Sequence, residues 1–409
     1  MIKKIALILL FIGVTIGMAF LLYRFFFAGP PSAPPVTEPP VTTPGGGGLP
    51  TAGEGQPGGE VILGPDGLPI SPGTGTPTEP GGGAPGGAPE SLAGAGTVAV
   101  AASPTNAGLN YFNQSDGRFY RIDGDGNAIR LSDKTFLEAS GVTWAKTGGK
   151  AVIEFPDQSK IVYDFDQETQ VTLPKHWEDF AFTDDGSTIV AKSIGLDPDN
   201  RWLVAAASDG SSAKLIEPLG DNADKVTVSV SPDASILAFS ATAEPVGFDT
   251  RDILPIGPNG ENLKAMRVEG FDFIPEWAPD GKRLVYSAAA SIDDFLPALW
   301  VVRADGNSVG GGRIKLNVRT WADKCTFADA DTMYCAEPTS LPSGAGLQRN
   351  IADSTPDRLL KIDLNTGVAR DINPASGFSQ TVTTMSVSDD GSALFVADSS
   401  GNITKVPLF

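Results

Sequence analysis

Histidine and cysteine are nearly absent from this sequence of 409 residues, which contains one His and two Cys. A zinc cluster needs more Cys or His ligands than that, and two cysteines are too few for a disulfide-rich scaffold. The single histidine, His176, allows at most one arrangement of a nucleophile with a histidine base. The sequence therefore predicts no metal site and no cofactor, and it predicts that the protein is not an enzyme.

Basic residues are also scarce, because 30 Lys and Arg stand against 49 Asp and Glu, for a net charge of −19. A nucleic-acid-binding surface is basic, so this class of protein is excluded. Gly and Pro are abundant instead, with 48 and 33 residues. Such a content argues against one compact domain, and the chain divides into three parts.

Residues 1–28 contain an uncharged apolar segment, IALILLFIGVTIGMAFLLY (5–23). Its length matches the roughly 20 residues that a helix needs to cross a bilayer. Lys3 and Lys4 precede it, so we expect the N-terminus in the cytoplasm and the rest of the chain outside. The alternative is a cleaved signal peptide, but its apolar region is usually shorter and is followed by a small-x-small cleavage site. We predict a single-pass anchor in the cytoplasmic membrane.

Residues 29–95 hold 19 Gly and 16 Pro and contain no aromatic residue, Lys or Arg. This segment cannot bury enough apolar surface to offset its chain entropy, so we expect a disordered tether. One more apolar stretch, EVILGPDGLPIS (60–71), is either further linker or a docking segment.

Residues 96–409 contain a repeated hairpin. The clearest copy is PEWAPDGKRLVYSA (275–288), and FAFTDDGSTIVAKS (180–193), VSVSPDASILAFSA (228–241) and MSVSDDGSALFVAD (385–398) repeat it. In each copy, alternating apolar residues flank a turn that contains Asp, and in three of the four copies also Gly; both residues tolerate left-handed backbone angles. Weaker copies bring the total to seven, at intervals of 38 to 60 residues. This period suits units of four short strands.

A second hairpin follows most copies, as in ALWVVRADGNSVGGGRIKL (298–316) and RLLKIDLNTGVARDI (358–372). Two hairpins in each of seven units predict an all-β, seven-bladed β-propeller, with six or eight blades as alternatives. The last unit shows only three strands. Its outer strand is missing or comes from the linker, for which residues 61–63 are one candidate. Alternatively, residues 97–102 close this last blade.

The hairpin followed by LWVVRADG resembles the TolB-type, WD-repeat-like propeller repeats of bacterial envelope proteins, and also the propeller of prolyl-oligopeptidase-like enzymes. The resemblance covers residues 98–409 and is strongest at residues 277–287. It implies the fold and carries no catalytic residue. TolB has a further domain before its propeller, and this chain has an anchor and a tether there, which puts a TolB-like role in doubt.

Two local patterns suggest chemistry only weakly. In RIDGDGNAI (121–129), Asp123, Asp125 and Asn127 alternate as in a calcium loop, but Lys134 occupies the twelfth position, where a carboxylate is required. We therefore predict an ordinary hairpin turn. His176 lies in a connection between units, and we expect it to be a structural or solvated residue.

The two cysteines lie in one predicted hairpin, CTFADADTMYC (325–335). If Phe327 faces Met333, then Cys325 faces Cys335, and directly opposed residues in an antiparallel pair lie within reach of a disulfide. An exported domain permits oxidation. We predict this bond, the alternative being two buried thiols.

Four long loops follow the second strand of consecutive units, at residues 193–202, 241–252, 288–299 and 337–358. Long loops on one side of a rigid scaffold are where binding residues concentrate. The candidate binding residues are acids, two arginines that can bind a carboxylate, and aromatic anchors: Trp202, Phe248, Asp249, Arg251, Asp293, Asp294, Phe295 and Arg349. The alternative is that these loops pack against one another and bind nothing.

Three functions are compatible with this sequence. The favoured one is a tethered, extracytoplasmic and non-enzymatic binding module for a protein, peptide or glycan of the cell envelope, with a preference for a cationic or mixed partner. The second is a hydrolase or lyase that uses paired carboxylates in the central funnel, which in glycosidases lie about 5–9.5 Å apart. The third is a structural component of the envelope.

Overall fold

A computed structural model describes residues 89–93, 97–102, 109–123, 126–374, 377–388 and 390–408. These residues form seven sheets of four antiparallel strands each, a seven-bladed β-propeller. The predicted fold is confirmed, and the alternatives of six and eight blades are wrong. The predicted membrane helix at residues 5–23 lies outside the described residues, and so does the 29–95 tether up to residue 88. None of the helices among the described residues is long and apolar enough to cross a membrane.

The strands are numbered in chain order. The chain enters through β1 (Glu90–Ala93). Blade 1 contains β2 (Thr97–Ala102), β3 (Leu109–Asn113), β4 (Arg118–Ile122) and β5 (Ala128–Arg130), and blade 2 contains β6 (Gly141–Trp144), β7 (Lys150–Glu154), β8 (Lys160–Asp164) and β9 (Thr169–Leu173). Blade 3 contains β10 (Trp177–Phe182), β11 (Thr188–Ile194), β12 (Arg201–Ala207) and β13 (Lys214–Pro218), and blade 4 contains β14 (Val226–Val228), β15 (Ala238–Ser240), β16 (Thr250–Ile256) and β17 (Met266–Glu269).

Blade 5 contains β18 (Phe271–Trp277), β19 (Arg283–Ala289), β20 (Pro297–Arg303) and β21 (Ile314–Lys315), and blade 6 contains β22 (Cys325–Phe327), β23 (Thr332–Pro338), β24 (Asp357–Asp363) and β25 (Val368–Asp371). Blade 7 contains β26 (Val382–Val387), β27 (Ala393–Asp398) and β28 (Ile403–Pro407), with β1 as its fourth strand. Short 3-10 helices lie in the connections, at Pro198–Asn200, Gly220–Lys225, Ser291–Asp293, Gly306–Ser308, Ala322–Lys324, Ala345–Leu347 and Arg349–Ala352.

The order of strands within a blade gives the ring two different ends. The first strand of each blade is innermost, and first strands contact one another between neighbouring blades, for example β2 with β6 and β26. Because consecutive strands are antiparallel, the first-to-second and third-to-fourth turns lie at one end of the ring, here called the turn rim. The second-to-third loops and the connections between blades lie at the other end, here called the loop rim.

The ring is closed by the segment that precedes the first blade. Strand β1 pairs with β28 in blade 7, with Glu90 opposite Lys405 and Ala93 opposite Ile403. The outer strand of blade 7 therefore comes from the linker, as one alternative predicted, although from Glu90–Ala93 and not from residues 61–63, which are outside the described residues. The other alternative is wrong, since Thr97–Ala102 is the inner strand of blade 1. The folded domain thus begins before the predicted boundary at residue 96.

Short hydroxyl–carboxylate turns join the first two strands of several blades. In blade 3, Asp185 accepts hydrogen bonds from the Thr183 hydroxyl at 2.6 Å and from the Ser187 backbone N–H at 3.0 Å. These hydrogen bonds lower the pKa of Asp185 to about 2, since they stabilise the ionised form. The same turn recurs around Asp233 in blade 4 and Asp390 in blade 7. The local sequence thus fixes each hairpin by its own side chains.

The apolar core lies between adjacent blades. Apolar side chains of one blade pack against those of the next, as where Phe239 of blade 4 stacks on Trp277 of blade 5 at 5.7 Å between ring centroids. The indole N–H of Trp277 donates to the Ser229 hydroxyl of blade 4 at 3.0 Å, so its polar edge is satisfied at this blade boundary.

A disulfide joins the first two strands of blade 6. Cys325 lies opposite Cys335, Thr326 opposite Tyr334 and Phe327 opposite Met333, which is the register expected from the hairpin. The two cysteines form a disulfide, with their Cα atoms 4.1 Å apart. The bond therefore fastens the innermost strand of the blade to its neighbour.

Candidate binding surface on the loop rim

The four long loops all lie on the loop rim, where they occupy residues 195–200, 241–249, 290–296 and 339–356 between the strands of blades 3 to 6. Each is shorter than the sequence predicted, because the strands extend into the predicted loops. Trp202 and Arg251 therefore belong to strands β12 and β16 and not to loops.

A carboxylate joins the loops of blades 4 and 5. Asp249 accepts hydrogen bonds from the backbone N–H of Ser291 at 2.8 Å and from its hydroxyl at 2.6 Å. These two hydrogen bonds lower the pKa of Asp249, so the link requires the ionised carboxylate. Asp249 therefore has a structural role in positioning these loops.

A buried acid, Asp293, holds the loop of blade 5 in place through two ion pairs. Asp293 is 7% exposed and lies 2.5 Å from the Lys315 ammonium and 2.7 Å from the Arg319 guanidinium. Burial alone raises the pKa of Asp293, but hydrogen bonds from Arg319 and Lys315 outweigh it and lower the value. The neighbouring residues Asp294 and Phe295 both have left-handed backbone angles, with φ of 55° and 53°.

The long loop of blade 6 holds that strained segment in place. The Asp294 carbonyl accepts from the Gly344 N–H at 2.8 Å, and the Phe295 carbonyl accepts from the Gly346 N–H at 2.8 Å. A Cβ atom on Gly346 would lie 2.5 Å from the Ala289 Cβ, so only glycine fits there. The close approach of the two loops therefore depends on the pair Ala289 and Gly346.

Arg349 of the same blade 6 loop contacts the connection between blades 5 and 6. Its guanidinium lies 5.1 Å from the centroid of the Trp321 ring and donates to Asp323 at 2.5 Å. Both partners belong to the connection between blades 5 and 6. Three consecutive blades thus have their loops joined into one continuous surface.

Exposed apolar side chains cover this surface. Phe248 and Ile292 are 83% and 84% exposed. Val246, Leu347 and Ile351 add to the set from the loops of blades 4 and 6. These five residues are here called the apolar rim set. Scattered apolar residues are normal on a surface, and their grouping on one rim makes this surface the candidate binding surface.

The structure separates the eight predicted binding residues into two groups. Phe248 presents a free apolar side chain, whereas Asp249, Asp293, Phe295 and Arg349 contact neighbouring parts of the loop rim, as described above. The remaining three also have contacts with the scaffold: Trp202 donates its indole N–H to the Asp199 carbonyl at 3.2 Å, Arg251 lies over the Phe271 ring at 5.1 Å, and the Asp294 carbonyl binds Gly344. The loops therefore pack on one another and still leave an exposed surface.

Three acids near the channel were not among the sequence candidates. Asp272 and Glu276 lie on the inner strand of blade 5, and Asp323 lies in the following connection. Burial and the charge of Asp323 raise the pKa of Glu276 to about 8. Burial also raises the pKa of Asp272, with Arg349 opposing and Asp323 adding to the shift. The inner strands of blades 3 and 5 both contain an Asp-Phe pair, Asp179-Phe180 and Asp272-Phe273. This repeat was the sequence signal that could have identified Asp272.

The two weak sequence patterns have structural roles in the described residues. Asn127 donates its backbone N–H to Asp123 at 2.8 Å, closing the turn between β4 and β5, while Asp125 lies outside the described residues. His176 is exposed, and its carbonyl accepts from the Ile194 N–H at 2.7 Å. Within the described ranges no group of three or more His, Cys, Asp or Glu is arranged to hold a metal ion.

Two solved structures share this architecture. The β-propeller domain of Myceliophteria thermophila Cps50 (Swd1) aligns with a TM-score of 0.54 and 11% sequence identity, over 79% of this chain and 100% of that domain. The tricorn protease aligns with a TM-score of 0.51 and 13% identity, over 76% of this chain, which thus spans only 33% of the protease chain. At such identities the likeness shows the fold alone.

No protein-family model matches this sequence, and no curated protein matches it either. The fold alone places the chain in the class of seven-bladed β-propellers. Its resemblance to TolB-type repeats stays a prediction. A protein-interaction module is consistent with this fold, and one of the two similar structures is a protease, so the fold does not decide between binding and catalysis.

Proposed function

We propose that this protein is a membrane-tethered, extracytoplasmic and non-enzymatic binding module whose loop rim captures a protein or peptide of the cell envelope, with a glycan as the alternative ligand. The observation that carries this proposal is the joined loop surface of blades 4 to 6, which presents the apolar rim set on a rigid scaffold. Rigid surfaces with exposed apolar anchors lose little conformational entropy when they bind.

The position of β1 is compatible with this arrangement. In blade 7, β1 runs from the turn rim at Glu90 to the loop rim at Ala93, because it is antiparallel to β28. Glu90 therefore lies at the end of the ring opposite to the joined loop surface.

A paired substitution tests the surface. Phe248→Ala with Ile292→Ala removes two exposed apolar side chains that stabilise nothing in the fold, and it should weaken partner capture from solubilised membranes at least tenfold if both are anchors. Leu215→Ala with Val368→Ala is the matched control, since these residues are 57% and 49% exposed on outer strands. Equal capture by the two pairs, at unchanged thermal stability, would exclude the loop rim.

The channel acids favour a second candidate, an enzyme with paired carboxylates. Glu276 with its raised pKa is able to carry a proton at neutral pH, and Asp323 influences it electrostatically. An acid held protonated beside an ionised one is the arrangement of a general acid and its partner. Activity on envelope glycans that disappears in Glu276→Gln, while Phe248→Ala retains it, would support this candidate.

A further inference from the structure

A cavity of about 250 Å³ opens on the loop rim between blades 4 and 5. Its walls include Phe271 and Phe273 from β18, Arg251 from β16, and Asp224 and Lys225 from the connection that precedes blade 4. Asp272 lines it as well, between the two phenylalanines. The cavity therefore combines an apolar wall with a carboxylate, and it lies beside the apolar rim set.

Blade 3 contains an acid that is equivalent to Asp272, and that acid has a cationic partner that Asp272 lacks. Asp179 in β10 and Asp272 in β18 occupy the same place in a β-bulge, and both have left-handed φ angles, of 53° and 56°. In blade 3 the Lys192 ammonium lies 2.5 Å from Asp179. Lys192 is 7% exposed, so blade 3 supplies its own cation from within the sheet.

Blade 5 has no such cation. Lys192 lies opposite Glu178, and the equivalent residue in blade 5, opposite Phe271, is Ala289. Gly346 of the blade 6 loop fills the space above Ala289, so that a lysine at this position would collide with the loop. Among the described residues no salt bridge includes Asp272, which is exposed and lines the cavity, while the Trp321 side chain and the charge of Arg349 act on its carboxylate.

The nearby cations do not replace the missing lysine. Arg349 acts on Asp272 electrostatically, but its hydrogen bond goes to Asp323. Lys225 donates to the Asn222 side chain at 2.9 Å, and Arg251 lies over the Phe271 ring. A carboxylate with an incompletely compensated charge beside aromatic walls is a recognition element for an ammonium or guanidinium group.

We propose, building on the proposed function, that the cavity between blades 4 and 5 receives a lysine or arginine side chain of the protein or peptide partner, with Asp272 as its counter-ion. The stem of that side chain packs along Phe271 and Phe273, and its charged group pairs with the Asp272 carboxylate from the cavity side. Arg251 at the edge of the cavity then faces the backbone or an acidic neighbour of the inserted residue, which makes a partner of mixed charge more favourable than a purely basic one.

Peptide arrays test this assignment with the full-length chain in detergent micelles. The probes are heptapeptides that contain one Lys or Arg, each paired with the same peptide carrying acetyl-lysine or citrulline, which are neutral and similar in shape. The wild type should retain the charged peptides about tenfold better, which corresponds to roughly 1.4 kcal/mol. Asp272→Asn should abolish this preference, and Asn tolerates the left-handed backbone angle, so the fold is kept.

Asp179→Asn is the matched control, since it removes a carboxylate from the equivalent bulge of a different blade and should leave the preference unchanged. Equal retention of charged and neutral peptides by the wild type, or an unchanged preference in Asp272→Asn, would overturn the assignment. Loss of capture in the Phe248 and Ile292 double variant, together with such a result, would leave the proposed function standing and exclude only the basic side chain.

Discussion

At the scale of single residues, the clearest energetic feature is a buried ion pair that joins the connection preceding blade 6 to the third strand of that blade. Lys324 and Asp357 have side chains that are 4% and 0% exposed, and their charged atoms lie 2.6 Å apart. The Asp357 carboxylate also accepts from the Val382 N–H at 2.6 Å, so the pair fixes the start of β26. Removal of one partner leaves an uncompensated charge away from water.

We expect Lys324→Met to lower the free energy of unfolding by about 3–5 kcal/mol, the range for a broken buried pair. Lys175→Met is the control, because Lys175 pairs with Asp157 while their side chains are 61% and 65% exposed. That change should cost less than about 1 kcal/mol. Urea unfolding followed by tryptophan fluorescence measures both, and similar losses for the two variants would contradict the assignment.

Glu276 gives a prediction about pH. Its pKa is raised from 4.5 to about 8, chiefly by burial and then by the charge of Asp323. Between these two values the folded state binds a proton that the unfolded state has released, so stability should fall as pH rises from about 5 to 8. Glu276→Gln keeps the shape and removes the titration, and it should flatten this part of the profile.

The measurement is urea unfolding at several pH values between about 5 and 9. Because Glu276 is partly exposed, the change should be smaller than the full pKa shift implies, on the order of 1–3 kcal/mol. If Glu276→Gln shows the same dependence of stability on pH as the wild type, other groups cause that dependence.

At the scale of the elements, the first two strands of each blade were the most predictable part of the fold. The Asp-containing turns around residues such as Asp233 and Asp390 form their hydrogen bonds locally, so the sequence of five residues is sufficient to specify them. The opposed cysteines of blade 6 follow from the same local register.

The elements that sequence reasoning missed depend on distant contacts. Strand β1 has the sequence ESLA, which has no strong strand preference and forms because β28 offers an open edge. The contact between Ala289 and Gly346 joins blades 5 and 6, and no local pattern specifies it. For the same reason the long loops could be located, but the roles of Asp249, Asp293 and Arg349 in joining them could not.

Removal of β1 tests its role in closing the ring. Leu92 packs against the cluster that contains Leu109, Ile122 and Phe395. Deletion of residues 90–93 removes this contact and the pairing to β28, and it should lower the free energy of unfolding by about 2–4 kcal/mol. Deletion of the glycines at residues 45–48 shortens the tether equally and should leave stability within about 0.5 kcal/mol. Thermal unfolding distinguishes the two.

At the scale of the whole molecule, the proposal of an anchored domain predicts a defined proteolytic product. Protease added to spheroplasts should cut in the Pro- and Gly-rich segment and release a soluble fragment of about 320 residues, since extended polar segments are the preferred sites of cleavage. A cytoplasmic marker protein should stay intact in the same sample. A propeller domain that is as protected as the marker would place it on the other side of the membrane.

The entry of the chain through β1 has a mechanical consequence. A pull applied at Glu90 acts along the axis of β1, because the strand begins at the turn rim and runs parallel to the height of the ring. Its pairs with β28, from Glu90 with Lys405 to Ala93 with Ile403, are then loaded together in shear and do not open one after another. A partner held on the loop rim would place the ring under tension from rim to rim, and the force at which β1 slides off β28 would set the load that the closed ring can bear.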